Sequence, residues 1–268
     1  GGGVWMTPTV DLSLGTFYVG TGNAVPMWGG ELRPGDNLFT SSVVALDLRT
    51  GEYKWHQQLV HHDIWEHDLA TPLIVYDATV DGRTRKAIAA MRTDGYLFML
   101  DAETGDPTFP VEERAVPQDE FLETSPTQPF PVGADKVGGD CVDPDMIPDG
   151  FVAGCYYDPI GPEQPNTFIP YMTMRFAPMS YSPITGYFYG TACVYPRWIK
   201  RPENPWFFNN TTVRAPGLKQ YGLHVALDSR TNRIAWQHRV PHSDCNSSGA
   251  MTTRSGLMFH TEPDGTLG

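Results

Sequence analysis

Apolar residues in this chain come in short runs of a few residues, broken by glycine, proline, asparagine and aspartate, and nowhere with a sustained helical period. Such a pattern predicts strands joined by tight turns. Val10 to Gly20 reads as two short strands around Leu14-Gly15, the second being Thr16-Phe17-Tyr18-Val19. Ser42 to Trp55 reads as a hairpin, with the turn at Thr50-Gly51. The pattern A-x-D-x-x-T-G-x-x-x-W of that hairpin recurs. Ala226 to Trp236 repeats it with Asn232 for the glycine, a residue that also tolerates the left-handed turn. Met99 to Phe109 is a degraded copy. Strand pairs without the motif fall at 179–190 and 250–260.

Repeated antiparallel units of this kind predict an all-β fold, a β-propeller. Residues 106–170 interrupt the rhythm. They hold half of the chain's 24 prolines and read as an ordered, mostly irregular insertion outside the blades. Residues 194–221 form a second excursion, with Trp198 and Trp206 in it. With 268 residues, 40% of them hydrophobic, the chain has ample material for a core. We read residues 1–268 as a single domain whose abrupt ends, Gly1-Gly2-Gly3 and Gly265 to Gly268, suggest that both are cut.

A formal net charge of -12 argues against a nucleic-acid partner. No apolar run is long enough for a transmembrane helix, and no N-terminal signal pattern is present. None of the four cysteines forms a C-x-x-C pair. Cys141 and Cys155 sit close together in the proline-rich insertion, where a disulfide would staple the loop; two free thiols are the alternative.

The densest chemistry lies at His61-His62-Asp63-Ile64-Trp65-Glu66-His67-Asp68. Three histidines and three carboxylates can hold a metal, move a proton or cap a turn. A zinc site would want a second cluster or an H-E-x-x-H motif, and neither exists. Upstream, Gly20-Thr21-Gly22-Asn23 starts like a dinucleotide fingerprint. The third glycine is missing and Pro26 follows, so that reading fails. A glycine-flanked asparagine at a strand end, aimed at a ligand, stays open.

The repeated hairpin resembles the tryptophan-docking motif of the quinoprotein dehydrogenases, which locks neighbouring blades of an eight-bladed propeller. Gly20 to Ile74 is similar to the pyrroloquinoline-quinone (PQQ) glucose and alcohol dehydrogenases, at the Gly-Asn loop, at Ser42 to Asp47 and at the His-Asp-x-Trp-acid motif. Val111 to Arg114 and Ser125 to Pro129 resemble the membrane-bound glucose branch. The resemblance implies about four blades of an eight-bladed ring, PQQ as cofactor, and calcium or a lanthanide as metal. It further implies an alcohol or sugar substrate, a cytochrome or membrane quinone as electron acceptor, and a periplasmic location, with any membrane attachment in a segment outside this chain.

Residue by residue, Trp5 stands 18 positions before Asn23, as the family's cofactor-stacking tryptophan does. An indole suits a flat quinone, though a core tryptophan would also fit. Asn23 matches a metal-ligating asparagine, with turn capping as the alternative. Glu66 stands where the family has its aspartate base, one methylene longer, and counts with Asn23 among the expected metal ligands. Asp68 lies two residues on, on the same side of an extended segment, as a further metal ligand or a solvated turn residue. Thr93 occupies the place of a lysine or arginine against the quinone oxygens, with Arg92 beside it. Ser247 falls near another cofactor-contacting position. Glu66 and Thr93 depart from the family pattern, and they feed a rival reading from another class: a non-catalytic propeller serving as an assembly or binding scaffold.

Overall fold

A computed structural model describes every residue except 1, 81, 120, 160–165, 172, 200–211, 214–216, 242–248 and 262–263, so Ser247 lies outside the described residues. Those described form strands and turns, with two single 3-10 turns and no α-helix. The strands β1 (Thr9–Asp11), β2 (Thr16–Gly20), β3 (Ser42–Asp47) and β4 (Tyr53–Gln58) make a four-stranded antiparallel sheet in chain order. Next, β5 (Ile74–Val80), β6 (Arg83–Met91) and β7 (Leu97–Asp101) make a three-stranded one. The insertion then carries a hairpin, β8 (Val111–Ala115) with β9 (Thr127–Pro131), and the short strands β10 (Val152–Ala153) and β11 (Thr167–Pro170). Beyond it run β12 (Ser180–Ser182), β13 (Tyr187–Val194), β14 (Pro196–Ile199), β15 (Thr212–Val213), β16 (Tyr221–Asp228) and β17 (Arg233–Val240). The pair β18 (Ala250–Thr252) and β19 (Met258–His260) ends the series.

Strands β12, β13, β16 and β17 form the next four-stranded sheet. Successive sheets pack on one another through apolar faces, as blades do. Tyr18, Val43 and Trp55 of the first meet Ile88, Phe98 and Leu100 of the second in one cluster. Tyr76, Ala87 and Met91 of the second meet Phe188, Val225 and Leu227 of the third in another. Tyr189 and Ala226 of the third meet Ala250 of the last pair. The result is an open arc of four partial blades, with four, three, four and two strands.

The repeat has a physical cause. Asp47 accepts the backbone N–H groups of Arg49 and Thr50 at 3.0 and 2.8 Å, and Gly51 turns the chain at φ 74°. Asp101 does the same for Glu103 and Thr104, and Asp228 for Arg230, with Asn232 at φ 55°. Two of these turns dock on a neighbouring sheet: Asn232 donates its side-chain amide to the Leu97 carbonyl at 3.0 Å, and the Asp101 turn meets Trp55. Trp55 donates its indole N–H to the Ala102 carbonyl at 3.3 Å and lays its ring on Gly105. A Cβ on Gly105 would stand 2.5 Å from the Trp55 ring, at a backbone φ of 81°. Gly105→Ala is therefore expected to cost about 2 kcal/mol or more. An unmoved urea midpoint would show that this docking contact contributes nothing.

The insertion is less irregular than its composition suggests. Its β10 and β11 join β14 and β15 of the second excursion in one sheet, pairing Phe168 with Trp198 and Ile169 with Arg197. Backbone pairing between two distant proline-interrupted segments leaves no period to read in either one. Cys141 and Cys155 do form a disulfide, 14 residues apart, a closure worth about 3 kcal/mol on the loop-entropy account.

Candidate active site

After β4 the chain turns on Asp63, which is wholly buried. Its carboxylate accepts the N–H groups of Trp65 at 2.8 Å and His67 at 2.7 Å, and the Ser41 hydroxyl at 3.2 Å. Burial, with some repulsion from Asp68, raises its pKa to about 6 against the opposing pull of those bonds and Arg33. Folding over Asp63 puts Glu66 in the left-handed region at φ 66°. That left-handed residue breaks the regular extended segment expected for 66–68, although Glu66 and Asp68 still meet the same partner.

Inside that turn, Trp65 donates to the Asp158 carbonyl at 3.0 Å. His67 is enclosed by the rings of Trp65, Tyr156 and Tyr157, and burial pulls its pKa down to about 3. His61 meets Gln58 and Glu113, whereas His62 meets the carbonyls of Gly35 and Leu122. The histidines have separate partners. Among the described residues no group of three His, Cys, Asp or Glu side chains is placed to hold a metal.

Glu66 and Asp68 converge on a residue from far along the chain. One guanidinium nitrogen of Arg175 lies 3.2 Å from Glu66 Oε1 and 2.8 Å from Asp68 Oδ2. Asp68 Oδ1 accepts the Asn23 backbone N–H at 2.6 Å, while the Asn23 side-chain amide donates to the Ala24 carbonyl at 3.1 Å. Trp5 completes the group. A Cβ on Gly22 would lie 2.8 Å from Trp5 Nε1 and 2.9 Å from Asp68 Oδ1, so only glycine lets them approach there. The Arg175 guanidinium sits 5.6 Å from the Trp5 ring and 4.3 Å from that of Phe176, which meets Trp5 edge-on at 4.8 Å.

Thr93 is wholly buried and donates its hydroxyl to the Asp68 carbonyl. Its own carbonyl accepts the Met174 N–H at 3.1 Å, which positions Arg175 one residue on. Arg92 turns the other way. It pairs bidentately with Asp94, both bonds at 2.9 Å, and donates to the carbonyls of Leu59 and Pro129.

Burial raises the Glu66 pKa to about 7, Asp68 adding to the rise and Arg175 and Arg197 opposing it. Asp68 is raised too, by burial, with Arg175 and the Asn23 bond pulling it back. A carboxyl titrating near neutrality, a cation and an exposed indole share this place. The indole (Trp5 is 46% exposed) and the guanidinium fit a flat, oxygen-rich quinone. For a calcium or lanthanide ion the donors as arranged do not fit. Such ions want about six to eight oxygens, yet both acids face Arg175 and the Asn23 amide is turned to Ala24.

Sequence reasoning missed Arg175, Phe176 and Arg197. The signal was faint but present: Arg175 is the only charged residue between positions 166 and 196.

The whole chain is 29% identical to the quinohemoprotein alcohol dehydrogenase of Comamonas testosteroni, and spans 37% of that protein. Over 134 residues, 48% of this chain and 18% of the relative, it is 38% identical to the glycerol dehydrogenase large subunit of Gluconobacter thailandicus. The crystal structure of the Comamonas testosteroni enzyme superposes with a TM-score of 0.63 at 28% identity, covering 97% of this chain and 38% of that one. Residues 1–148 match the family described as glucose/ethanol/alcohol dehydrogenase, beta-propeller domain. The chain belongs to this family of PQQ-type propellers.

Proposed function

We propose that this chain forms part of a PQQ-dependent dehydrogenase that oxidises an alcohol or sugar hydroxyl, with Glu66 as the base. The observation that carries the reading is the meeting of Glu66, Asp68 and Arg175 beside an exposed Trp5. When bound, the quinone supplies a hydride acceptor. Glu66 takes the hydroxyl proton on its carboxylate, whose pKa near 7 suits a base working at neutral pH. Trp5 offers an apolar face for the ring system. Arg175 orients an oxygen-bearing group while it steadies both acids. Both acids already meet a cation in Arg175, and Glu66 acts as base beside it.

A periplasmic location and a cytochrome or membrane quinone as acceptor accompany the reading. The test is reconstitution of the full-length protein with PQQ, followed by dye-linked oxidation of a panel of alcohols and sugars. Turnover with at least one substrate class is expected. PQQ bound without turnover on any would instead favour the scaffold reading, to which Thr93 lends support, since its hydroxyl is engaged with the Asp68 carbonyl.

A further inference from the structure

We infer that Arg175 is the resident cation of this site, standing where a metal ion would have to stand between Glu66 and Asp68. A single guanidinium nitrogen reaches both carboxylates, at 3.2 and 2.8 Å. All three side chains are largely withdrawn from water, at 12%, 14% and 2% exposure for Arg175, Glu66 and Asp68. Attraction is therefore weakly screened, and so is any repulsion.

Charge accounting points the same way. Two carboxylates face Arg175, and the charge of Arg197 also acts on Glu66. A divalent or trivalent ion added there would stand against a guanidinium already in contact with both prospective ligands. Arg175 is held from three sides. Its side chain packs on the Phe176 and Trp5 rings, the preceding N–H of Met174 is bonded to Thr93, and its carbonyl accepts the Ala177 N–H at 2.8 Å. Phe176 beside it has the left-handed φ of 64°, so the backbone is tightly turned at this point. Removing the guanidinium would leave two buried carboxyls without their counter-charge, the condition that invites a hard cation in competition with protons.

The inference concerns the charge of the site and goes beyond the proposed oxidation. It is tested on the full-length protein without PQQ and without turnover, so its failure leaves that proposal standing. Terbium(III) is titrated and read by luminescence excited through tryptophan, with Trp5 close to the acids as antenna and calcium as competitor. Wild type is expected to show no saturable site that Asp68→Asn removes. Arg175→Gln is expected to gain one, with affinity higher by on the order of 100-fold, and Asp68→Asn in that background to abolish it. Arg175→Lys, which keeps the charge, should behave as wild type.

Tight terbium binding by wild type that Asp68→Asn removes would overturn the inference. So would a folded Arg175→Gln protein with no gain, or a gain equally large in Arg175→Lys. If Arg175→Gln fails to fold, wild type against Asp68→Asn decides alone: Asp68-dependent binding refutes the inference and its absence supports it.

Discussion

Glu66→Gln is expected to lower kcat of the PQQ-reconstituted full-length protein by about 10²- to 10⁴-fold, the usual worth of a general base. Glutamine keeps the volume and a hydrogen-bonding end but cannot accept the proton. PQQ affinity should change far less, because Trp5 and Arg175 remain. A pH profile separates a base from a merely structural residue. Since burial raises the Glu66 pKa to about 7, the active carboxylate form is lost as pH falls through that value. Activity should therefore rise with pH up to about 7 and then level, and Glu66→Gln should abolish that limb. The linked effect on stability runs the opposite way. A carboxyl whose folded pKa is raised stabilises the fold fully below its unfolded value, and that contribution is lost as pH rises through about 7. Turnover of Glu66→Gln within a few-fold of wild type would remove Glu66 from the mechanism.

Arg92→Met should be the most damaging single change to the fold, costing about 3–5 kcal/mol. The guanidinium is fully buried, with two bonds to Asp94, one each to the Leu59 and Pro129 carbonyls, and the rings of Tyr96, Phe98, Phe130 and Tyr157 around it. It ties the end of β4, the β6–β7 turn and β9 together. Burial alone would raise the Asp94 pKa, but Arg92, with help from Lys136, outweighs it and holds the carboxyl at about 2. A depressed carboxyl stabilises above its unfolded value of about 3.8, and that stability is lost as pH falls towards 2. Thermal unfolding should accordingly show the Arg92→Met loss in full at pH 7. Asp94→Asn in the Arg92→Met background should recover part of it, since an amide needs no counter-charge. No recovery would mean that the carbonyl and ring contacts, rather than the ion pair, hold this junction.

The blade plan was legible because its cause is local. Asp47, Asp101 and Asp228 each cap their own turn within three residues, and the spacing from turn to an aromatic residue (Trp55, Phe109, Trp236) repeats with them. The structure brings Trp5 and Asn23, both marked in the sequence, to the same place beside Asp68, with Asn23 meeting it through its backbone rather than its amide. What stayed hidden depends on closure in space. Arg175 reaches Asp68 across 107 residues of sequence, from a stretch with no other charge to mark it. The left-handed turn at Glu66 follows from Asp63 accepting two backbone N–H groups, one of several things a buried aspartate in a histidine-rich run can do. The pairing of Phe168 with Trp198 joins two segments whose prolines argue against strands when each is read alone.

The most direct test of the site is a structure of the full-length protein crystallised with saturating PQQ. The ring system should lie on the Trp5 indole, with one of its oxygens within hydrogen-bond reach of Arg175 and its edge towards Glu66. Density for PQQ elsewhere on the blades, or a bare Trp5 face at saturation, would contradict the assignment.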